Sequence, residues 1–279
     1  MRRNFAQILR SAKVDYKKEY KKLYSMLFAE DTDGYGNFYS NYTRLNDAFT
    51  DFSFHGTYLS LEEFDEDNGI SFPDPSIDDP SLEDLVLLME YFYNMLMGYY
   101  ISYPDGGFES QINTRFIMKH IENVGGAIGY KLVYDNNLYI FVEKDSTVTA
   151  VAESDLIPDN LSYRLITYDH HSMRGDLESK KSIILQLAGI LEGKQKELNQ
   201  VNPTLKKDLF YIFNNLNLRH NNCDSQSKNY KHAVADMGEE VLENWYDETY
   251  RMCLLAFMEL EHAGRKPEFD KLKATIENA

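Results

Sequence analysis

Apolar residues recur every three or four positions over most of this chain, and that period commits it to helices packed through one face. The pattern is clearest in the C-terminal third. Leu177, Ile184, Leu187, Ala188, Leu191 and Leu198 mark a helix near 175–199. Asn202-Pro203-Thr204 opens a second, running through Leu205, Leu209, Ile212, Phe213 and Leu216 to about Leu218, with Pro203 in the first turn, where its missing N–H is harmless. Val241, Leu242, Trp245, Tyr246, Tyr250, Leu254, Phe257 and Leu260 mark a third over about 238–263, and Lys266–Ala279 reads as a polar tail or a last helix.

The N-terminal part repeats the period with uneven charge. Residues 1–28 carry eight bases against Asp15 and Glu19, a net of +6, alongside an apolar stripe of Phe5, Ile8, Leu9, Ala12, Tyr16, Tyr20, Leu23 and Leu27. That stripe implies a helix packed on the core with a solvated basic face; an electropositive strip for RNA or for the acidic segment that follows is the sharper reading. No Lys or Arg occurs from Leu45 to Thr114. Within that span Leu61–Asp84 is dense in Asp and Glu and is broken by Pro73, Pro75 and Pro80, so it reads as an extended acidic loop, either merely solvated or paired with the basic helix in cis or in trans. Asp31-Thr32-Asp33-Gly34-Tyr35-Gly36 opens like a calcium loop, but Tyr35 and Tyr42 stand where ligands are required, and no calcium site is expected.

Ser81 is an N-cap for the apolar run Leu85 to Tyr99, a helix apolar enough around its circumference to be buried. Tyr103-Pro104-Asp105-Gly106-Gly107 reads as a boundary. A helix around Gln111–Val124, stopped by Gly125-Gly126, precedes strands at about Ala127–Tyr134 and Leu138–Glu143 joined by Asp135-Asn136-Asn137, with Thr147–Ala152 as a third strand of a meander. Helix plus hairpin has the outline of a winged helix, although Arg115 and Lys119 are its helix's only cations. Asp155–His171 reads as a linker. The expected fold is therefore α+β, mainly α: an N-terminal helical unit with the acidic loop (1–108), a helix plus small antiparallel meander (109–160), and a C-terminal helical bundle (172–279).

Composition narrows the function classes. A formal charge of -16 argues against a protein that coats duplex DNA. No apolar run approaches the roughly 18 residues needed to span a bilayer, no secretory segment is evident, and two cysteines make neither a disulfide framework nor a four-ligand zinc site. The expected setting is cytoplasmic, without membrane partners. Asp169-His170-His171 places adjacent side chains on opposite faces and reads as surface linker rather than a metal site. Cys223 near His220 would need a third, orienting group for nucleophilic catalysis.

The segment Leu205–Asn222, LKKDLFYIFNNLNLRHNN, stands apart. An amphipathic helix ends in Arg219-His220-Asn221-Asn222, polar groups at a helix C-terminus facing a loop. Arg219 and His220 either cap the helix against its dipole or hold a phosphate and move protons. With the preceding helix ending KQKEL and the following NWYDETYRMCLLAFMELEH, residues 174–263 resemble the helical HEPN domain (higher eukaryotes and prokaryotes nucleotide-binding) of bacterial abortive-infection and toxin–antitoxin proteins. The resemblance implies a dimer with a shared cleft, phage defence, and metal-independent RNA cleavage without a cofactor. In that chemistry a ribose 2′-hydroxyl attacks the adjacent phosphate, Arg219 holds the phosphate, and His220 or His232 serves as acid or base, with Asn221 and Asn222 as binding residues. The chain departs from the family pattern where a histidine is expected a few positions on: Asp224, Ser225 and Gln226 stand there, and His232 follows Arg219 after twelve intervening residues. The family also has inactive members that bind partners such as an antitoxin. A non-catalytic helical scaffold is thus the alternative, and a winged-helix regulator the third.

Overall fold

The computed structural model describes residues 14–32, 36, 38–104, 112–135 and 137–278; Phe5, Ile8, Leu9 and Ala12 of the basic stripe, and Asp33 to Tyr35, lie outside the described residues. The chain is α+β and mainly helical. It divides into two compact units, Met1–Glu143 and Lys144–Ala279. The division falls after the hairpin, so the helix and hairpin of segment 109–160 belong to the first unit.

That first unit is organised around one buried helix. Its elements are α1 (Tyr16–Phe28), the short pair β1 (Asp31–Thr32) and β2 (Phe38–Tyr39), α2 (Asn41–Ala48), α3 (Leu61–Asp67), α4 (Leu82–Ser102), α5 (Thr114–Ala127), β3 (Tyr130–Asp135) and β4 (Leu138–Glu143). Helix α4 begins at a capping box: the Asp84 N–H donates to Ser81 Oγ at 3.1 Å and the Ser81 N–H to Asp84 Oδ2 at 2.7 Å. Its apolar circumference is covered by α1, α2, α5 and β4. The two strands pair antiparallel with Tyr130 opposite Glu143 and Tyr134 opposite Tyr139, and Asn137 takes the left-handed conformation of the turn at φ 68°. The outer edge of β4 would be left unpaired in so small a sheet. Two polar residues one turn apart on α4 satisfy it: Asn94 Oδ1 accepts from the Tyr139 N–H at 2.8 Å while Asn94 Nδ2 donates to the Tyr139 carbonyl at 2.7 Å, and Glu90 Oε1 accepts from the Phe141 N–H at 2.6 Å.

The acidic stretch is not a loop throughout. Its first part is α3, capped by Ser60, with Leu61 buried and Asp65 accepting hydrogen bonds from Tyr42 at 2.9 Å and Tyr91 at 2.8 Å. Burial pushes the Asp65 carboxyl above the usual range, against the pull of those two hydroxyls. The remainder is turns, held to α1 by the Tyr20 hydroxyl donating to the Pro73 carbonyl at 2.8 Å and by one ion pair, Lys17–Asp79 at 2.6 Å. Basic helix and acidic segment therefore do meet in cis, but through an exposed pair of the kind that contributes little to stability. Helix α5 also runs through Gly125-Gly126 instead of stopping there. Gly125 is present for room: a Cβ on it would lie 2.5 Å from the ring of Phe141.

The second unit contains α6 (Ser146–Ala152), α7 (Asp159–Ile166), α8 (Leu177–Gly193), α9 (Gln195–Val201), α10 (Pro203–Asn215), the single turn α11 (His232–Ala235) and α12 (Glu239–Glu277). Three expectations change here. Thr147–Ala152 is helix, not a third strand, because Asp145 Oδ1 accepts from the N–H groups of Thr147 at 2.6 Å and Val148 at 3.1 Å and starts a turn that its β-branched residues would not choose alone. The meander is therefore a two-stranded hairpin. The stretch 155–171 is not a linker: it forms α7 and ends in Tyr168, fully buried and stacked on Tyr250 at 3.8 Å between ring centroids. The helix expected over 175–199 breaks at Lys194, after Gly193, which lets α9 turn Leu198 into the core.

Helix α12 packs on α6, α8, α9 and α10 through Tyr246, Tyr250, Cys253, Phe257 and Leu260, and it continues through Gly264 and Pro267 well past 263. Across α8 and α12 lies a buried cation. Lys180, 4% exposed, donates to Glu243 at 2.7 Å and Asp247 at 2.8 Å, one turn apart on α12, with the Tyr168 ring beside it. Burial opposes its charge, and the two carboxylates outweigh burial and hold its pKa above the ordinary value.

Two outcomes follow for stability. Gly125→Ala lowers the urea midpoint of the first unit by about 1–3 kcal/mol of unfolding free energy through overpacking, whereas Gly126→Ala, with open space at its Cβ, raises it by up to about 1 kcal/mol. Equal effects would remove the steric account. In the second unit, Lys180→Met costs about 1.5–3 kcal/mol at pH 7. Hydrogen bonds from Lys180, then Gly175, hold the Glu243 carboxyl below its ordinary 4.5, so their contribution is full above that pH and is lost as pH falls through the lowered value. The deficit of the variant, read by urea unfolding at stepped pH, therefore narrows in acid.

Candidate functional site

The candidate residues sit on the loop between α10 and α11. Helix α10 is placed by its own sequence: Asn202 Oδ1 accepts from the Leu205 N–H at 3.0 Å, Pro203 occupies the first turn, and Leu205, Leu209 and Phe213 form the buried stripe. It ends at Asn215, three residues before the sequence pattern suggests, because Asn217 adopts the left-handed conformation at φ 53° just past the C-cap Leu216. The chain then turns back, and Leu218 re-enters the core.

From that turn the four residues Arg219 to Asn222 diverge. Arg219 lies across Phe210 and Phe213 of α10 and reaches onto the last part of α8. One guanidinium nitrogen lies 2.6 Å from Glu192 Oε1, another donates to the Ala188 carbonyl at 3.2 Å, and the plane packs 4.9 Å from the centroid of Phe213 and 5.7 Å from that of Phe210. Arg219 is therefore held by the side of α8 near its last turn, through Glu192 and the Ala188 carbonyl, and does not cap α10. His220 and Asn221 are exposed, and the Asn221 amide lies 3.5 Å from Asp224.

Asn222 points inward and is fully buried. Its Oδ1 accepts from the Asn217 N–H at 2.8 Å, and its Nδ2 donates to the carbonyls of Asn229 at 2.7 Å and Asn214 at 3.4 Å. In return Asn217 Oδ1 accepts from the Asn222 N–H at 3.2 Å, and the Asn222 carbonyl accepts from the Lys231 N–H at 2.8 Å. One amide thus gathers both ends of the loop. Its hydrogen-bonding capacity is spent inside the fold, which leaves it nothing to offer a ligand.

His232 opens α11 and pairs with Asp236, both side chains exposed. Among the described residues no hydrogen bond or ion pair joins Arg219 to His220 or to His232. The arrangement offers an exposed imidazole on each limb of the loop and a guanidinium committed between them to α8. Cys223 lies with its sulfur 3.9 Å from the Val234 carbonyl, and Cys253 is buried in the core; both are free thiols. Burial pushes the Cys253 thiol far up, so it is inert as a nucleophile.

Two polar groupings escape the sequence pattern. Lys180 occupies a core-facing position of α8, where a base is out of place, and Glu243 and Asp247 are spaced to meet it. His170 is buried rather than part of a surface linker; its Nδ1 accepts from the Ser172 N–H at 3.2 Å, and its ring stands 4.1 Å from that of His171. The signal for Lys180 was a charged residue at an apolar register position of its helix; the sequence around His170 carries no comparable periodicity. No helix among the described residues is long and apolar enough to cross a membrane. No family model, curated protein or solved structure matches the chain.

Asn222→Ala lowers unfolding stability by about 2–4 kcal/mol, since it strands several buried backbone groups, while Asn221→Ala changes it by no more than about 0.5 kcal/mol. Urea denaturation of the two variants side by side checks this. Matching losses would mean that the buried amide does not organise the loop.

Proposed function

We propose that the protein is a non-catalytic interaction protein, a helical scaffold of which the C-terminal unit presents a surface to a partner. One observation carries this reading. Helix α12 leaves the bundle and runs on to Glu277, with every residue from Gly264 to Asn278 exposed, Phe269, Leu272 and Ile276 among them. An isolated helix of that length is marginal in water even with favourable residues, and this one contains a glycine and a proline. A covering partner supplies what the segment lacks. The state of Arg219 supports the same reading, because its guanidinium is already bonded on two nitrogens and stacked on a third side. The partner-binding members of the HEPN group are the form of that resemblance that fits.

A second reading, an abortive-infection-like RNA cleavage by Arg219 with His220 or His232, draws support from the exposure of both imidazoles on the loop. It requires Arg219 to exchange Glu192 and the Ala188 carbonyl for a phosphate, and one histidine to approach it. The two readings part in a single assay: RNA incubated in EDTA with wild type, Arg219→Ala and His220→Ala, each followed by thermal melting. The scaffold reading expects no cleavage by any of the three, a loss of about 1–2 kcal/mol in Arg219→Ala from the broken ion pair, hydrogen bond and stack, and an unchanged melt in His220→Ala. Cleavage by wild type that leaves a cyclic phosphate and disappears in a normally folded His220→Ala would replace it with the nuclease.

A further inference from the structure

We infer that the outer face of α12 is a self-association seam, on which a second copy of this chain forms a parallel, two-stranded coiled coil over about residues 255–276. The inference rests on the interaction-protein reading and names its partner.

The apolar residues that α12 leaves in water form one stripe. Leu255, Met258, Phe269, Leu272 and Ile276 are 50%, 38%, 51%, 52% and 67% exposed. They fall on the a and d positions of a heptad, with His262 and Arg265 filling the a and d places between. The stripe lies opposite the face that packs Cys253, Phe257 and Leu260 into the bundle, so a partner helix can close on it without displacing the core. Gly264 and Pro267 take the c and f positions, off the seam. The length is about 33 Å at 1.5 Å per residue, roughly three heptads.

Charge identifies the occupant and its direction. The flanking g positions are Glu261, Glu268 and Thr275 and the flanking e positions are Glu259, Lys266 and Lys273. In a parallel, in-register pair each g residue faces the e residue of the following heptad on the other chain, so Glu268 meets the partner's Lys273, and Glu261, which within one chain is bonded to Arg265, faces the partner's Lys266, on both sides of the seam. An antiparallel pair sets e against e and g against g, which brings Glu259 to the partner's Lys273 but also Lys266 to the partner's Lys266 and Glu261 to the partner's Glu268. The parallel orientation is the one that sets every flanking lysine against a glutamate. The segment also escapes the repulsion expected between two copies of a chain of charge -16: residues 264–278 hold Arg265, Lys266, Lys271 and Lys273 against Glu268, Asp270 and Glu277, a net of +1. The polar layer of His262 and Arg265 weakens the seam and fixes its register, since any slip would bury these groups against apolar neighbours.

Sedimentation equilibrium of the full chain, at protein concentrations of about 1–100 µM, reads the outcome. Wild type is expected at twice 32.5 kDa. Phe269→Glu with Leu272→Glu reduces it to a single chain with the thermal melt of the bundle unchanged, because neither residue touches the core. Lys266→Glu with Lys273→Glu likewise gives monomer, and mixing that chain with one carrying Glu261→Lys and Glu268→Lys restores a mixed dimer. Ile276→Cys in a Cys223→Ser background cross-links on mild oxidation, since parallel packing sets the two positions side by side. A wild type of one-chain mass, a dimer indifferent to the substitutions at 269 and 272, or a dimer that Ile276→Cys cannot cross-link would each overturn the seam. These masses are read apart from RNA cleavage, so a nuclease that dimerises here and a scaffold that does not are told apart.

Discussion

A chain built from many short helices leaves many backbone groups without partners, since each helix end exposes up to four N–H or four C=O groups. Burying those ends in a small core is affordable only if side chains take over. This constraint accounts for much of the polar architecture. Asn94 serves as a substitute strand at the edge of β4, Asp145 starts α6, Asn222 closes the α10–α11 loop, and Arg219 meets the end of α8. In each case a residue type that a reader of sequence associates with ligands is occupied by the backbone. The functional residues must therefore be sought among polar groups that the backbone has not already claimed.

That distinction decides how much the sequence could reveal. Local signals carried through: the Ser81–Asp84 box began α4, Asn202-Pro203 began α10, and the Asp135–Asn137 turn joined β3 to β4. Signals that depend on tertiary context did not. Glycines at 125 and 126 read as a stop, yet one of them is demanded by the Phe141 ring three-dimensionally adjacent to it. Helix α3 buries only Leu61 of its seven residues, too little apolar periodicity to be seen among so many acids and prolines. The polar RHNN segment was visible as an anomaly at a helix end, but its four residues point in different directions. Which helix Arg219 would bond, and whether Asn222 would face water, depended on the turn at Asn217.

The energetics of Arg219 limit what the loop can do. A guanidinium that bonds Glu192 and a carbonyl while lying over two phenylalanines is stabilised by charge, hydrogen bonding and cation–π contact together. A phosphate would have to replace all of this and would bring its own charge toward Glu192. Catalysis by differential binding needs a site prepared for the transition state, not one that must first be dismantled. The exposed histidines impose no such cost, which is why His220→Ala rather than Arg219→Ala separates a nuclease from a scaffold.

The far end of α12 presents the reverse situation, a surface with stabilising potential still unused. Within the bundle α12 is held by Tyr250, which stacks on Tyr168 and donates to the Leu165 carbonyl at 2.8 Å, and by the Lys180 ion cluster. Beyond Gly264 the contacts run along the helix, such as Lys273 over the Phe269 ring and the Arg265–Glu261 pair at 2.5 Å. Pairs of this kind add a few tenths of a kcal/mol each, which does not offset a glycine and a proline in a helix interior. Covering Phe269, Leu272 and Ile276 would contribute about 1.5–3 kcal/mol per side chain at full burial, enough to reverse that balance. The sequence of this segment is thus consistent with a helix only when its apolar face is occupied, and the alternation of Glu and Lys beside that face is complementary to a copy of itself.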